Sequence, residues 1–295
     1  MVSPLFRAMM AAQTLTMGLA SAALAAAPAA SHDQSALTSY SLERSATFEV
    51  RSKAGEIYQV MVAWPAGEAP AEGWPVLYVL DGEDNFAIAT LTARRLARAG
   101  ERSGVQSGIV IGIAAGPLPR RVRDYTPPVP GYNIPAGQPA SGLSIGGGEA
   151  FLDLVADTIM PAVRERWRVD ASRETLVGHS FGGLLAIHAL LTRPKLFNAA
   201  VAISPSFWFG NGLIAREAAE PRAAGPARRL LVAEGGDGGR RSTSSDSAAA
   251  VVQRLQSSAP LMHTSFLDLP EQSHGTTFLA AIVPAIRFAF GSSER

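Results

Sequence analysis

The chain contains no cysteine in 295 residues. That absence excludes disulfides, thiolate zinc sites, a thiol nucleophile and lipidation of an N-terminal cysteine. An excess of charge of one sign is missing as well. Lys+Arg 26 against Asp+Glu 25 leaves a net charge of +1, far from the basic surplus that binding phosphate backbones requires, so nucleic acid is not expected as a partner. No His-Glu-x-x-His occurs, and a metal site would have to be assembled from scattered histidines and carboxylates. Neither a metal nor a cofactor is expected. Charged residues are scarce, 17% against 47% apolar, which supplies a large core and argues against disorder. No internal repeat is visible.

The one stretch that approaches the ~20 apolar residues needed to cross a bilayer lies at the N-terminus. Arg7 gives a short positive region, and Ala8 to Ala27 is apolar and Ala-rich, with no charge until Asp33. Ala23 and Ala25, or Ala27 and Ala29, offer small-residue cleavage sites. Residues 1–30 therefore read as an export signal, or as an anchor if retained, and membrane contact is expected only in the second case. The expected location is the periplasm, free or tethered to the inner membrane. Residues 31–295 read as a single domain, a length that α/β folds carry around one sheet.

Along that domain, Ser45 to Val50 and Glu56 to Trp64 alternate apolar and polar residues about Gly55, predicting an antiparallel hairpin. Pro75 to Leu80 and Gly108 to Ile113 are continuous apolar runs, as in strands buried on both faces. Between them come an expected turn, Asp81-Gly82-Glu83-Asp84, and a helix over Asn85 to Ala99. A Pro/Gly-rich tract without apolar periodicity spans 114–148, an irregular insertion of the length that is usually functional. Further helices are expected over Glu149 to Arg166, Ser245 to Leu255 and Thr276 to Phe290. Further strands are expected at Ala199 to Ile203, Arg229 to Glu234 and Met262 to Leu267. The alternation predicts a mostly parallel central sheet with helices on both faces, entered through the hairpin.

Gly178-His179-Ser180-Phe181-Gly182 is a Gly-x-Ser-x-Gly run between a β-like segment, Glu174 to Val177, and an apolar helical one, Leu184 to Leu191. In that context it reads as a nucleophile elbow, a strained turn in which neighbouring side chains would clash with the crossing strand and helix. A serine hydroxyl needs a base. Of the five histidines, His32 adjoins the leader, His179 belongs to the elbow, His188 rides the following helix and His263 lies inside the last strand. His274, in the polar turn Glu271 to Gly275, falls where the base belongs in the order Ser, acid, His. The acid should follow the strand ending at Glu234. Asp237 is the first choice, with Glu234, Asp268 or a Ser/His dyad as alternatives. Two amides are expected to receive the oxyanion, that of Phe181 and that of Glu83 or Gly82; losing one such donor typically costs ~3 kcal/mol of transition-state stabilisation.

Together Leu80-Asp81-Gly82, Arg123-Asp124-Tyr125-Thr126-Pro127, Gly146-Gly147-Gly148, the elbow, Ser204-Pro205-Ser206-Phe207-Trp208 and His274 resemble the esterase D-like branch of the α/β-hydrolases. Within that branch they resemble the periplasmic esterases of trilactone siderophores such as enterobactin and salmochelin. The resemblance implies the α/β-hydrolase fold, Ser180 and His274 as catalytic pair, and an oxyanion hole around Glu83 and Phe181. It implies a small-molecule ester substrate, a siderophore or its iron complex. Relatives often carry Gly-Glu-x-Glu where this chain has Ala233-Glu234-Gly235-Gly236-Asp237. Arg123 and Trp208 are candidates for holding a planar, anionic catechol; a structural Arg123–Asp124 pair and a core tryptophan are the alternatives. A general carboxylesterase or acyltransferase, and a silent binding module, are the competing readings.

Overall fold

A computed structural model describes residues 39–220, 227–236, 248–258 and 262–291; the leader and Asp237 lie outside them. The alternating segments pair antiparallel as β1 (Ser45–Arg51) and β2 (Ile57–Ala63), as expected. The apolar runs become β3 (Trp74–Leu80), β4 (Ile109–Ile113), β5 (Val169–His179) and β6 (Ala199–Ile203), followed by β7 (Arg228–Gly235) and β8 (Met262–Leu269). They form one sheet in the order β1-β2-β4-β3-β5-β6-β7-β8. β2 is antiparallel to both of its neighbours and every other pairing is parallel.

Period-2 geometry sorts the strand residues between two cores. Leu77 and Val79 face one layer with Phe86 and Ala89 of α1 (Gly82–Arg98) and Ala281 and Ile282 of α8 (Thr277–Phe290). Val76, Tyr78 and Leu80 face the other layer, which holds α3 (Gly148–Leu154), α4 (Met160–Arg166), α5 (Phe181–Thr192), α6 (Phe209–Ala219) and α7 (Ala248–Ser258). A π turn, Val155–Ile159, joins α3 to α4, so the helix expected over Glu149 to Arg166 is continuous with a bulge in its middle. All of α5 except Thr192 is buried, which is why its sequence is apolar all round. Each such Leu or Ile contributes roughly 1.5–3 kcal/mol by leaving water.

Two local expectations are corrected. Gly82-Glu83-Asp84 is the first turn of α1 and not a free turn. Asp81 breaks β3 in left-handed geometry (φ 53), and the two acids sit at the positive helix end, where they are stabilising. The tract over 114–148 also holds a short helix, α2 (Leu118–Asp124), with proline in its first turn. At seven residues it is too short to display a periodicity.

The chain runs from β3 through α1 to β4 on one side, then returns to place β5 on the other side of β3. This reversal opens a crevice at the carboxyl ends of the strands. Val79 pairs with Val177, and His179 with Ile203. Asp81, Ser180 and Ser204 are therefore the first residues beyond three adjacent strands. All three have positive φ, at 53°, 59° and 40°.

Candidate active site

Among the described residues only six non-glycine residues have positive φ, and half of them are these three strand ends. Strain concentrated in this way makes these strand ends the candidate site. The elbow itself is fixed by close packing. A Cβ on Gly178 would lie 2.3 Å from the carbonyl carbon of Gly182, and one on Gly183 would lie 3.1 Å from the Ile203 oxygen. Gly182 meets only ordinary contact, at 3.4 Å, so the crossing point of strand and helix is Gly178 against the Gly182 backbone.

The Ser180 amide donates to Ile203 O (2.9 Å), and the Ser180 carbonyl accepts from Leu184 (3.0 Å) and Ser206 (3.2 Å). The turn is thus held independently of the serine side chain. Ser180 Oγ lies 3.4 Å from the Oγ of buried Ser206. Helix geometry leaves the first amides of a helix without intrahelical acceptors. Phe181 opens α5 in this way, and Gly82 and Glu83 open α1, while Asp84 and Asn85 already donate to Asp81 O. Two helix N-termini therefore end at the crevice, a setting that favours negative charge.

His274 lies exposed in the turn before α8. That turn is tied by Thr277 Oγ1, which donates to Ser273 O (2.6 Å), and by the Thr276 and Thr277 amides to the same oxygen. Gly235 and Gly236 let β7 approach it closely: a Cβ on Gly235 would sit 2.4 Å from Thr277 Oγ1, and one on Gly236 2.5 Å from Pro270 O. The His274 ring packs on the His179 ring, centroids 4.6 Å apart. His179 Nε2 donates to the His274 carbonyl at 2.8 Å. Among the described residues no hydrogen bond joins the His274 ring to Ser180 Oγ. Glu234 and Asp268 face each other at the ends of β7 and β8.

Sequence reasoning missed an ion pair beneath the crevice. Arg121 donates from Nε to Asp81 Oδ1 (2.5 Å) and from Nη2 to Asp81 Oδ2 (2.8 Å), and Nη2 also reaches the His179 carbonyl at 3.3 Å. The Asp81 amide donates to the buried Tyr125 hydroxyl (3.0 Å). One planar guanidinium thus joins the β3 end to the β5 end, a fork geometry that lysine could not supply. Nothing in the local spacing of Arg120-Arg121-Val122-Arg123 distinguishes Arg121, because its partner is 40 residues away.

Glu83 spends its carboxylate on the amides of Ala115 and Gly116, both at 2.9 Å, and so fastens the start of the long tract. Arg123 is engaged by Glu56 (3.0 and 2.7 Å) and Asp124 (2.8 Å), with Asp124 held in turn by the Tyr58 hydroxyl at 2.6 Å. The structure brings Arg123 together with these carboxylates and not with Ser180. Trp208 is half-buried, its ring 5.8 Å from that of Phe181 beside the elbow. A cleft of about 420 Å3 opens between the N-termini of α1 and α8, lined by Asp81, Glu83, Arg121, His179, Gly275 and Phe278. No cluster of three or more metal-ligating side chains occurs among the described residues.

The chain is 36% identical over 189 residues to the siderophore triacetylfusarinine C esterase of Aspergillus fumigatus, a match covering 60% of this chain and 61% of the relative. It is also 36% identical over 185 residues to the siderophore enterobactin esterase of Emericella nidulans, covering 59% and 61%. The match thus spans about three fifths of each relative's length. The solved siderophore hydrolase EstA from Aspergillus nidulans superposes with a TM-score of 0.70 at 26% identity, over 85% of this chain and 97% of that one. Residues 52–254, which hold β2 to β7, Asp81, Arg121 and the elbow, match the protein family described as "Putative esterase", and the chain belongs to that family.

Proposed function

We propose that this chain is an exported serine esterase that hydrolyses the ester bonds of a siderophore of the catecholate trilactone type. The observation that carries the mechanism is the strained serine, Ser180 at φ 59 between β5 and α5, with a helix-terminal amide on one side and the His274 turn on the other. Ser180 Oγ attacks the ester carbonyl carbon and its proton passes to the His274 imidazole. The carbonyl oxygen becomes an oxyanion received by the amides of Phe181 and of Glu83 or Gly82. The intermediate collapses, the leaving alcohol takes the proton from His274, and an acyl-Ser180 ester remains. Water, deprotonated by the same histidine, then attacks that ester and frees the acid. A Ser180–His274 pair without a hydrogen bond among the described residues fits this scheme, because catalytic hydrogen bonds in free enzymes are often long and tighten when substrate binds.

Asp237, two residues past β7 in sequence and outside the described residues, remains the proposed orienting acid, and the close approach of Gly235 and Gly236 to the base turn supports this. Trp208 is proposed to border the substrate. Arg123 is proposed to act at one remove, by anchoring the tract that carries Tyr125 and Arg121. A siderophore ester as substrate is supported by the names of both fungal esterases, and the catecholate type by the enterobactin in the second name alone. The test is hydrolysis of ferric and iron-free enterobactin by the mature protein, beside a short nitrophenyl ester, with Ser180→Ala as control. Trilactone cleavage with far higher kcat/KM than the simple ester, lost at least a thousandfold in the variant, is the expected result. Cleavage of the simple ester alone would keep the serine mechanism and remove the siderophore.

A further inference from the structure

His179 has no part in the mechanism above, yet it touches both loops on which that mechanism depends. Its carbonyl accepts from Arg121, which grips Asp81 at the oxyanion side. Its ring donates from Nε2 to the carbonyl of His274, 95 residues away. A carbonyl oxygen can only accept, so Nε2 carries the proton and Nδ1 is bare. Beyond the close packing of Gly235 and Gly236 on its far side, the turn bearing His274 is hydrogen-bonded mainly through its own Ser273, Thr276 and Thr277. Those bonds shape the turn but do not place it over the elbow.

We propose that His179 is a positioning residue: its Nε2–H, donated to the His274 backbone, docks the base-bearing turn onto the elbow and fixes the distance between His274 and Ser180. The inference rests on the catalytic pairing of those two residues. Because His179 precedes the nucleophile directly, the turn is referenced to the serine through a single peptide unit. The ring suits this role chemically. Burial, reinforced by the nearby His274 ring and Arg121 guanidinium, pushes it down to about 4, so it stays neutral at neutral pH. A neutral neighbour packed on the His274 ring does not oppose the imidazolium that must form there during each acyl transfer, whereas a charged one would.

The test compares His179→Met, which keeps bulk and loses the donor, with His179→Gln, whose amide nitrogen can reach where Nε2 lies. The substrate is a nitrophenyl ester and the protein is the full mature chain. Met should lower kcat at least tenfold with KM unchanged and speed amide hydrogen exchange over residues 272–277; Gln should stay within threefold of wild type on both counts. Wild-type kcat and exchange in the Met variant would overturn the proposal. Equal losses in Met and Gln would also overturn it, because they would mean that ring packing and not the hydrogen bond matters. If the Met variant does not fold, His179→Asn, polar but too short to reach, takes its place with the same expectations. Ser180→Ala and His274→Ala run alongside. Activity surviving in those would refute the catalytic pairing itself, while the exchange measurement would still decide whether His179 holds the turn.

Discussion

Two histidines nine residues apart on the same strand–turn–helix unit are held in opposite ways. His179, at the elbow, is driven down to about 4, first by burial and then by its closeness to the His274 ring and the Arg121 guanidinium. His188, on α5, is also buried, and burial alone would lower it. Instead its Nδ1 bonds Glu217 at 2.7 Å and its Nε2 bonds Glu149 at 2.6 Å, and together these carboxylates raise it above the ordinary value. Glu149 is further held by Arg193, which also pairs with Asp153 at 2.5 Å. The sign of the surrounding charge, more than burial, separates the two rings. One ring borders the candidate site, whereas the other bolts α3 and α6 to α5.

The comparison breaks most directly at His188. Replacing it with Leu takes the imidazole from the buried Glu217 carboxylate, while the partly exposed Glu149 keeps Arg193, and should cost about 3 kcal/mol in urea unfolding. Turnover per folded molecule should change less than threefold; a large kcat loss at unchanged stability would reverse the assignment of roles.

The pH dependence of stability sharpens it. For His188 the folded state binds the proton more tightly, so its contribution is complete below the unfolded value near 6.5 and is lost as pH rises through the raised folded value. For His179 the unfolded state binds the proton first, so stability falls as pH drops from about 6.5 toward about 4. Urea midpoints measured from pH 4 to 9 should therefore lose the alkaline decline in His188→Leu and the acid decline in His179→Gln. Identical profiles for both variants would contradict the opposite signs.

Arg123 offers a smaller test on the structural side. With Glu56 and Asp124 as partners at a half-exposed site, Arg123→Ala should cost about 1 kcal/mol and move KM for a ferric siderophore less than twofold. A larger KM change would return Arg123 to the substrate. Ser206 is the smallest: its 3.4 Å approach to Ser180 Oγ is longer than a strong hydroxyl bond, so Ser206→Ala should change kcat less than threefold in the nitrophenyl ester assay.

Much of the fold was legible because its signals are local. The continuous runs at Pro75 to Leu80 and Ala199 to Ile203 could be satisfied only by strands covered on both faces, and they are. The alternation about Gly55 could be satisfied only by a half-exposed hairpin. Asp81-Gly82 misled, since that dipeptide serves a turn and a helix start equally well, and Leu118 to Asp124 was too short to declare itself. Within the candidate site, Ser180 was marked by its glycines, whose absent side chains are required by contacts as close as 2.3 Å. His274 emerged by elimination among five histidines.

The sequence by itself determined the strands, every helix but α2 and α6, the elbow and a short set of chemically competent residues, because periodicity and glycine placement act within a few residues. Only the tertiary structure decided what each polar side chain does. Arg121 reaches Asp81 across 40 residues, Arg123 turns to Glu56 across 67, and His179 meets the His274 carbonyl across 95. An ion pair or a docking hydrogen bond is chosen by which strand ends the sheet order brings side by side, and that order is a property of the packed chain and of no single segment.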